Sequence, residues 1–73
     1  MKISELRDEL GLTFEGFAAT LGLKSKGYAK DIEKGAVPSV KVALEIERLS
    51  EGRINAADLN PDVARVRDAG AAA

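Results

Sequence analysis

Apolar residues recur along the chain at helical spacing, in short stretches that turn residues separate. In the first stretch Ile3, Leu6 and Leu10 stand three and four residues apart, the spacing of one face of an amphipathic helix. No stretch alternates apolar and polar residues over the length that a β-strand needs. The pattern therefore predicts an all-α fold of four to five short helices.

Capping residues and glycines divide the chain into these helices. Hydroxyl side chains suited to cap a helix N-terminus stand at Thr13, Ser25 and Ser39. Glycine, which readily adopts the left-handed backbone that ends a helix, follows each of the first four stretches. These glycines are Gly11, Gly22, Gly35 and Gly52. The pattern Asn55-Ala-Ala-Asp58 predicts a short fifth helix, and residues 62–68 a further short one.

The predicted core consists of the apolar residues that share the inner faces of these helices. In chain order the expected members are Phe17, Ala18, Leu21, Leu23, Ala29, Ile32, the wide apolar face between Val40 and Leu49, and Leu59. If residues 62–68 are helical, Val63 and Val66 are expected to form a small apolar patch.

The composition indicates one soluble domain. The chain has 73 residues, 45% of them hydrophobic and 32% charged, and no apolar run exceeds three residues. Such runs are too short for a membrane span or a secretory signal, so a cytoplasmic protein is expected. Because the chain has no cysteine and no histidine, it is expected to hold no disulfide, no zinc site and no cofactor. Dimerisation is then the expected source of extra stability for so small a domain.

Positive charge is concentrated in the middle of an otherwise nearly neutral chain. The net charge is −1, yet the stretch from Lys24 to Lys41 carries five lysines against Asp31 and Glu33. This distribution favours one basic face, as nucleic-acid binding requires. A solvated helix face is the other interpretation of the same lysines.

The segment from Thr13 to Gly35 has the pattern of a DNA-binding helix-turn-helix. Such a unit needs a small residue where the two helices cross, and Ala18 fits that position. It also needs a residue that accepts positive φ in the turn, and Gly22 follows four positions later. The next helix keeps Ala29 and Ile32 for the core, which leaves its other face polar.

This part of the sequence resembles the Cro/repressor-type (XRE-like) family of helix-turn-helix regulators. The resemblance rests on LTFEGFAATLGL (12 to 23), SKGYAKDIEKG (25 to 35) and VPSVKVALEIERLSEGRI (37 to 54). The closing GRINAADLNPD (52 to 62) is similar to the small Cro-like and YdaS-like regulators. A lambda-repressor-like domain over residues 1–62 is implied, followed by a C-terminal extension over 63–73 with a frayed Ala/Gly tail.

One residue more than the family pattern lies between Gly22 and Ala29. Counting back from Gly35 restores the family register and predicts Ser25 as the N-cap of the recognition helix. The turn is then expected to be one residue longer than usual.

In this register the resemblance implies a set of DNA-binding residues around the recognition helix. They are Lys24, Ser25, Lys26, Gly27, Tyr28, Lys30, Asp31 and Lys34. The base-reading positions of the family fall on Lys26, Gly27 and Asp31. We expect Lys26 to donate to guanine and Gly27 to allow close approach, whereas Asp31 either accepts from cytosine or pairs with a neighbouring lysine, Lys34 or Lys24.

The other residues of the set are expected to contact the DNA backbone. Lys24 and Ser25 lie at the helix N-terminus, where amide donors favour phosphate, and Lys30 is also suited to a phosphate. For Tyr28 two interpretations remain open: the ring covers the core, or the hydroxyl faces a phosphate. Arg53 is a further candidate for a backbone contact.

The sequence thus predicts a binding protein rather than an enzyme. The resemblance implies a homodimeric repressor that occupies an inverted-repeat operator in double-stranded DNA, with the dimer interface expected between Leu49 and Val66. A phage Cro-like repressor, an antitoxin-type autoregulator and a repressor of an anti-CRISPR operon remain open as genetic roles. The alternative is a protein-interaction module or antitoxin that uses the same scaffold.

Overall fold

The computed structural model is all-helical, as the apolar pattern predicts. It describes the backbone of residues 1–72 and the side chains of residues 1–67, and within this part it contains no strand and six helices, more than the four to five predicted. The helices are α1 (Ile3–Glu9), α2 (Phe14–Leu21), α3 (Lys26–Glu33), α4 (Val40–Leu49), α5 (Ala56–Leu59) and α6 (Asp62–Ala72). The chain forms two compact units, Met1–Val37 with the first three helices and a second unit that begins at Pro38.

The predicted capping residues start the helices where the sequence places them. The Thr13 hydroxyl accepts from the N–H of Gly16 at 3.1 Å, and the Ser39 hydroxyl accepts from Val42 at 3.3 Å. The Asn55 side chain accepts from the N–H of Ala57 at 2.9 Å. Each bond satisfies a backbone donor that the first helical turn leaves unpaired, so local chemistry fixes these starts.

The core of the first unit lies among α1, α2 and α3. Leu6 and Phe17 are completely buried, and the small Ala18 and Ala29 are buried where α2 packs against α3. Ile32 completes the inner face of α3, as predicted. Leu10 is exposed, because α1 ends at Glu9 and the stripe that includes Leu10 does not continue.

An ion pair ties α3 to α1 at the edge of this core. Arg7 Nε donates to Glu33 Oε2 at 3.0 Å, and the two side chains are only 20% and 10% exposed. Arg7 also donates to the Leu12 carbonyl at 3.1 Å, and its guanidinium carbon lies 4.2 Å from the centre of the Phe14 ring. Because Arg7 also bonds the segment that leads into α2, one side chain links all three helices.

In the second unit, α4, α5 and α6 surround a core of Ala43, Ala56 and Val63. Here the sequence prediction was wrong on one point: Val63 is completely buried and forms no surface patch with Val66, which is 53% exposed. Although the two valines lie three residues apart on α6, only Val63 faces α4 and α5. Leu59, expected in the core, packs against it and is only partly buried.

Buried polar side chains form hydrogen bonds near the helix ends of the second unit. The Asn60 amide donates to the Pro38 carbonyl at 2.8 Å, and its oxygen accepts from the N–H of Asp62 at 2.9 Å. The hydroxyl of Ser50 accepts from the N–H of Ile54 at 3.0 Å and donates to the Glu47 carbonyl. These bonds satisfy the polar groups that packing removes from water.

Among the described residues no helix is both long and apolar enough to cross a bilayer. The tail predicted to fray, residues 69–73, extends beyond the described residues, and its fraying stays a prediction.

Candidate nucleic-acid interface

A four-residue turn, Gly22 to Ser25, joins α2 to α3. Gly22 has φ 74°, the left-handed conformation that the sequence predicts there. The N–H of the next residue, Leu23, donates to the Ala18 carbonyl at 2.8 Å, which closes the end of α2. The Leu23 side chain is only half-buried, less than the expected core position, because it belongs to the turn rather than to either helix.

The register of α3 agrees with counting back from Gly35. The helix begins at Lys26 with Ser25 at the N-cap position, although the Ser25 hydroxyl makes no capping bond. The C-terminal end is closed at Lys34 and Gly35, where the N–H of Ala36 donates to the Asp31 carbonyl at 2.9 Å. The longer turn therefore leaves the predicted helix boundaries unchanged.

All the residues that the sequence proposes for DNA contact lie exposed on α3, on the turn before it or at its C-cap. They are Lys24, Ser25, Lys26, Gly27, Tyr28, Lys30, Asp31 and Lys34. The inner face of the same helix is buried through Ala29 and Ile32. We call these eight exposed residues the α3 surface.

Three lysines run along the α3 surface at intervals of one helical turn. Lys26, Lys30 and Lys34 are spaced four residues apart, which places them in one row on a helix. Lys30 Nζ lies 5.3 Å from the centre of the Phe14 ring, and Lys26 Nζ lies 3.8 Å from Glu15 Oε1. Both neighbours belong to the first turn of α2, so the row lies on the side of α3 that is next to α2.

The outward face of α3 carries the remaining candidates. Among the described residues Asp31 forms no ion pair, so neither of the lysine pairs considered for it is present. The Tyr28 side chain is 46% exposed, and its role stays a prediction. At Gly27 an added Cβ would meet only the Ser25 hydroxyl, at 3.8 Å, so the backbone there is open to a close approach.

Four residues of this region were missing from the sequence-based site: Arg7, Phe14, Glu15 and Glu33. Phe14 and Arg7 form a cation–π stack beside Lys30, and Glu33 fixes α3 to α1. The sequence carries no signal for these neighbours, because helical periodicity shows which face is buried but not which residue it meets.

The α3 surface offers ammonium groups and an open backbone at Gly27. Lysine donors on an exposed helix suit phosphates and base edges of nucleic acid. The described residues hold no cluster of three metal-ligating side chains.

Comparison of the chain with protein-family models, with curated proteins and with solved structures finds no match.

Proposed function

We propose that the protein is a sequence-specific double-stranded DNA-binding regulator, a small dimeric repressor that uses α2 and α3 as a helix-turn-helix. The observation that carries the proposal is the exposed row of Lys26, Lys30 and Lys34 on the helix that follows the Gly22 turn. Exposed lysines on a helix suit duplex DNA, because the major groove admits an α-helix and ammonium groups contact phosphates.

Each part of the α3 surface has a role in this proposal. Lys26, at the start of α3, donates to guanine O6 or N7 in the major groove. Lys24, Lys30 and Lys34 neutralise phosphates and set the position of the helix on the duplex. Asp31, which forms no ion pair with any residue that the structure describes, accepts from the cytosine amino group.

The salt dependence of binding tests the proposal directly. If three lysines of each chain release counterions, the logarithm of the affinity falls with the logarithm of salt concentration with a slope of about −3 per chain. Lys30→Gln should make this slope about one unit less steep on any duplex, whereas Lys26→Ala should reduce the preference for the selected sequence. Lys2→Gln removes an exposed lysine from α1's N-cap and serves as the matched control.

The duplex for this measurement is obtained by selection from a randomised library with the wild-type chain. A protected inverted repeat in footprinting of that duplex supports a dimeric repressor. Failure of wild-type protein to bind any duplex at low salt would exclude the function.

A protein-interaction module is the second candidate function. The net charge of −1 and the exposed Tyr28 ring favour it, since interface centres are enriched in tyrosine. Binding to a protein through apolar contacts weakens little with salt, so the same titration separates the two functions.

A further inference from the structure

Glu15 faces Lys26 across the gap between α2 and α3. Glu15 Oε1 lies 3.8 Å from Lys26 Nζ, and the side chains are 78% and 58% exposed. Both residues also line two neighbouring surface depressions, of about 360 and 290 Å³. The pair therefore stands on the rim between these depressions, beside the lysine row of the α3 surface.

This pair is weak in the free protein and easily rearranged. Water screens an ion pair between exposed side chains, so the pair contributes little to folding. The Lys26 ammonium nevertheless has two competing classes of anionic partner once DNA is close, the Glu15 carboxylate and the phosphates. Which of these anions the Lys26 ammonium contacts depends on its position along the groove.

We infer that Glu15 determines specificity for the proposed DNA-binding function, on which this inference rests. The Glu15 carboxylate beside Lys26 disfavours contacts of Lys26 with the phosphate backbone more than it disfavours contacts with a base edge. The Lys26 ammonium has three donors, so it can bond to guanine while another hydrogen stays directed at Glu15.

In a sequence-independent complex the geometry is different. The Lys26 ammonium contacts a phosphate, and the Glu15 carboxylate beside Lys26 then faces the negative charge of the DNA backbone. Like charges at close range repel, so Glu15 lowers the affinity of this mode more than that of the base-reading mode. The ratio of specific to non-specific affinity is thereby raised.

The test compares wild type with Glu15→Gln on two duplexes of about 20 base pairs, long enough for two half-sites. One is the duplex selected by the wild-type chain, and the other is a scrambled duplex of the same composition. Fluorescence anisotropy gives both affinities at several salt concentrations. Glu15→Gln should raise the affinity for the scrambled duplex about threefold to fivefold, while the affinity for the selected duplex changes less than about twofold.

Two controls separate this role from a general charge effect. Glu5→Gln removes another exposed first-turn carboxylate, in α1, and should leave the affinity ratio unchanged. In a Lys26→Ala background, Glu15→Gln should change both affinities by the same factor, because the lysine on which Glu15 acts is absent.

Three results would overturn the inference. The first is an equal change on both duplexes in the wild-type background, and the second is a change in the ratio that persists without Lys26. The third is a loss of affinity for the selected duplex with Glu15→Gln, which would make Glu15 itself a base contact. If wild type binds neither duplex, the proposed function fails and the inference falls with it, whereas binding with an unchanged ratio overturns the inference alone.

Discussion

Gly27 stands at the second position of α3, directly after Lys26. It is not among the glycines with positive φ, and an added Cβ would meet only the Ser25 hydroxyl at 3.8 Å. Glycine is therefore not required there by the backbone. The open backbone beside Lys26 would allow the close approach of DNA that the proposal expects at this position.

Gly27→Ala should consequently stabilise the protein while weakening DNA binding. Alanine in place of a helical glycine with ordinary φ lowers the entropy of the unfolded chain, and we expect a gain of about 0.5 kcal/mol in urea unfolding. The added methyl group should lower the affinity for the selected duplex in the anisotropy titration.

Gly16→Ala is the matched control for this substitution. Its Cβ would contact Thr13 Oγ1 at 3.4 Å and Leu12 Cδ2 at 3.5 Å within the protein, so DNA affinity should be unchanged. Unchanged affinity of Gly27→Ala would place Gly27 away from the DNA.

The helices of the first unit are held in place by few interactions, and Arg7 makes several of them. Its guanidinium bonds Glu33 on α3 and the Leu12 carbonyl, and it stacks on Phe14 of α2. Glu33 is only 10% exposed, so without Arg7 its charge would be left unpaired in a largely dry site. This contact links α3, which carries the lysine row, to α1 and to the segment that leads into α2.

Arg7→Met should lower the free energy of unfolding by about 2–3 kcal/mol, since removing one partner of a mostly buried ion pair leaves the charge of the other unpaired. Chemical denaturation followed by circular dichroism measures the loss. The double variant Arg7→Met with Glu33→Met should recover part of it, because the stranded carboxylate is removed as well.

Arg48→Met gives the control, as it removes an exposed pair with Glu45 on α4. The Arg48 guanidinium, which donates to Glu45, lowers the pKa of that carboxyl, but solvent surrounds the pair and the unfolding midpoint should hardly change. Strictly additive losses in the Arg7 and Glu33 variants would show that the two residues are not coupled.

The molecule as a whole is small and divided into two compact units. A chain of this length buries a limited apolar area, so association with a second copy would add stability. In the second unit Val66 of α6 is exposed on the surface, within the stretch from Leu49 to Val66 that the sequence proposes for the dimer. An exposed residue can be changed without disturbing the core around Val63.

Val66→Lys should therefore shift the protein from dimer to monomer. We expect the dimer dissociation constant to rise at least about tenfold, since a charge would be buried in an apolar contact. Sedimentation equilibrium over a range of concentrations measures the shift. Val37→Lys, at an exposed valine of the first unit outside the proposed interface, should leave the dimer intact. A wild-type chain that is monomeric both free and on the selected duplex would exclude the dimer.

Much of this protein is determined locally, and those features are readable from the sequence. Thr13, Ser39 and Asn55 cap helices because their side chains reach backbone donors two or three residues away. The exposure of the α3 lysines follows from helical spacing against Ala29 and Ile32.

Only the tertiary structure decides which faces meet. Arg7 reaches Glu33 across 26 residues, and Glu15 reaches Lys26 only because α2 packs against α3. Val63 is buried rather than exposed for the same reason, as α4 and α5 cover it. Periodicity identifies an apolar or charged face, but the identity of its neighbour depends on packing between distant segments. The lysine row on α3 was therefore predictable, whereas the carboxylate that faces its first member was not.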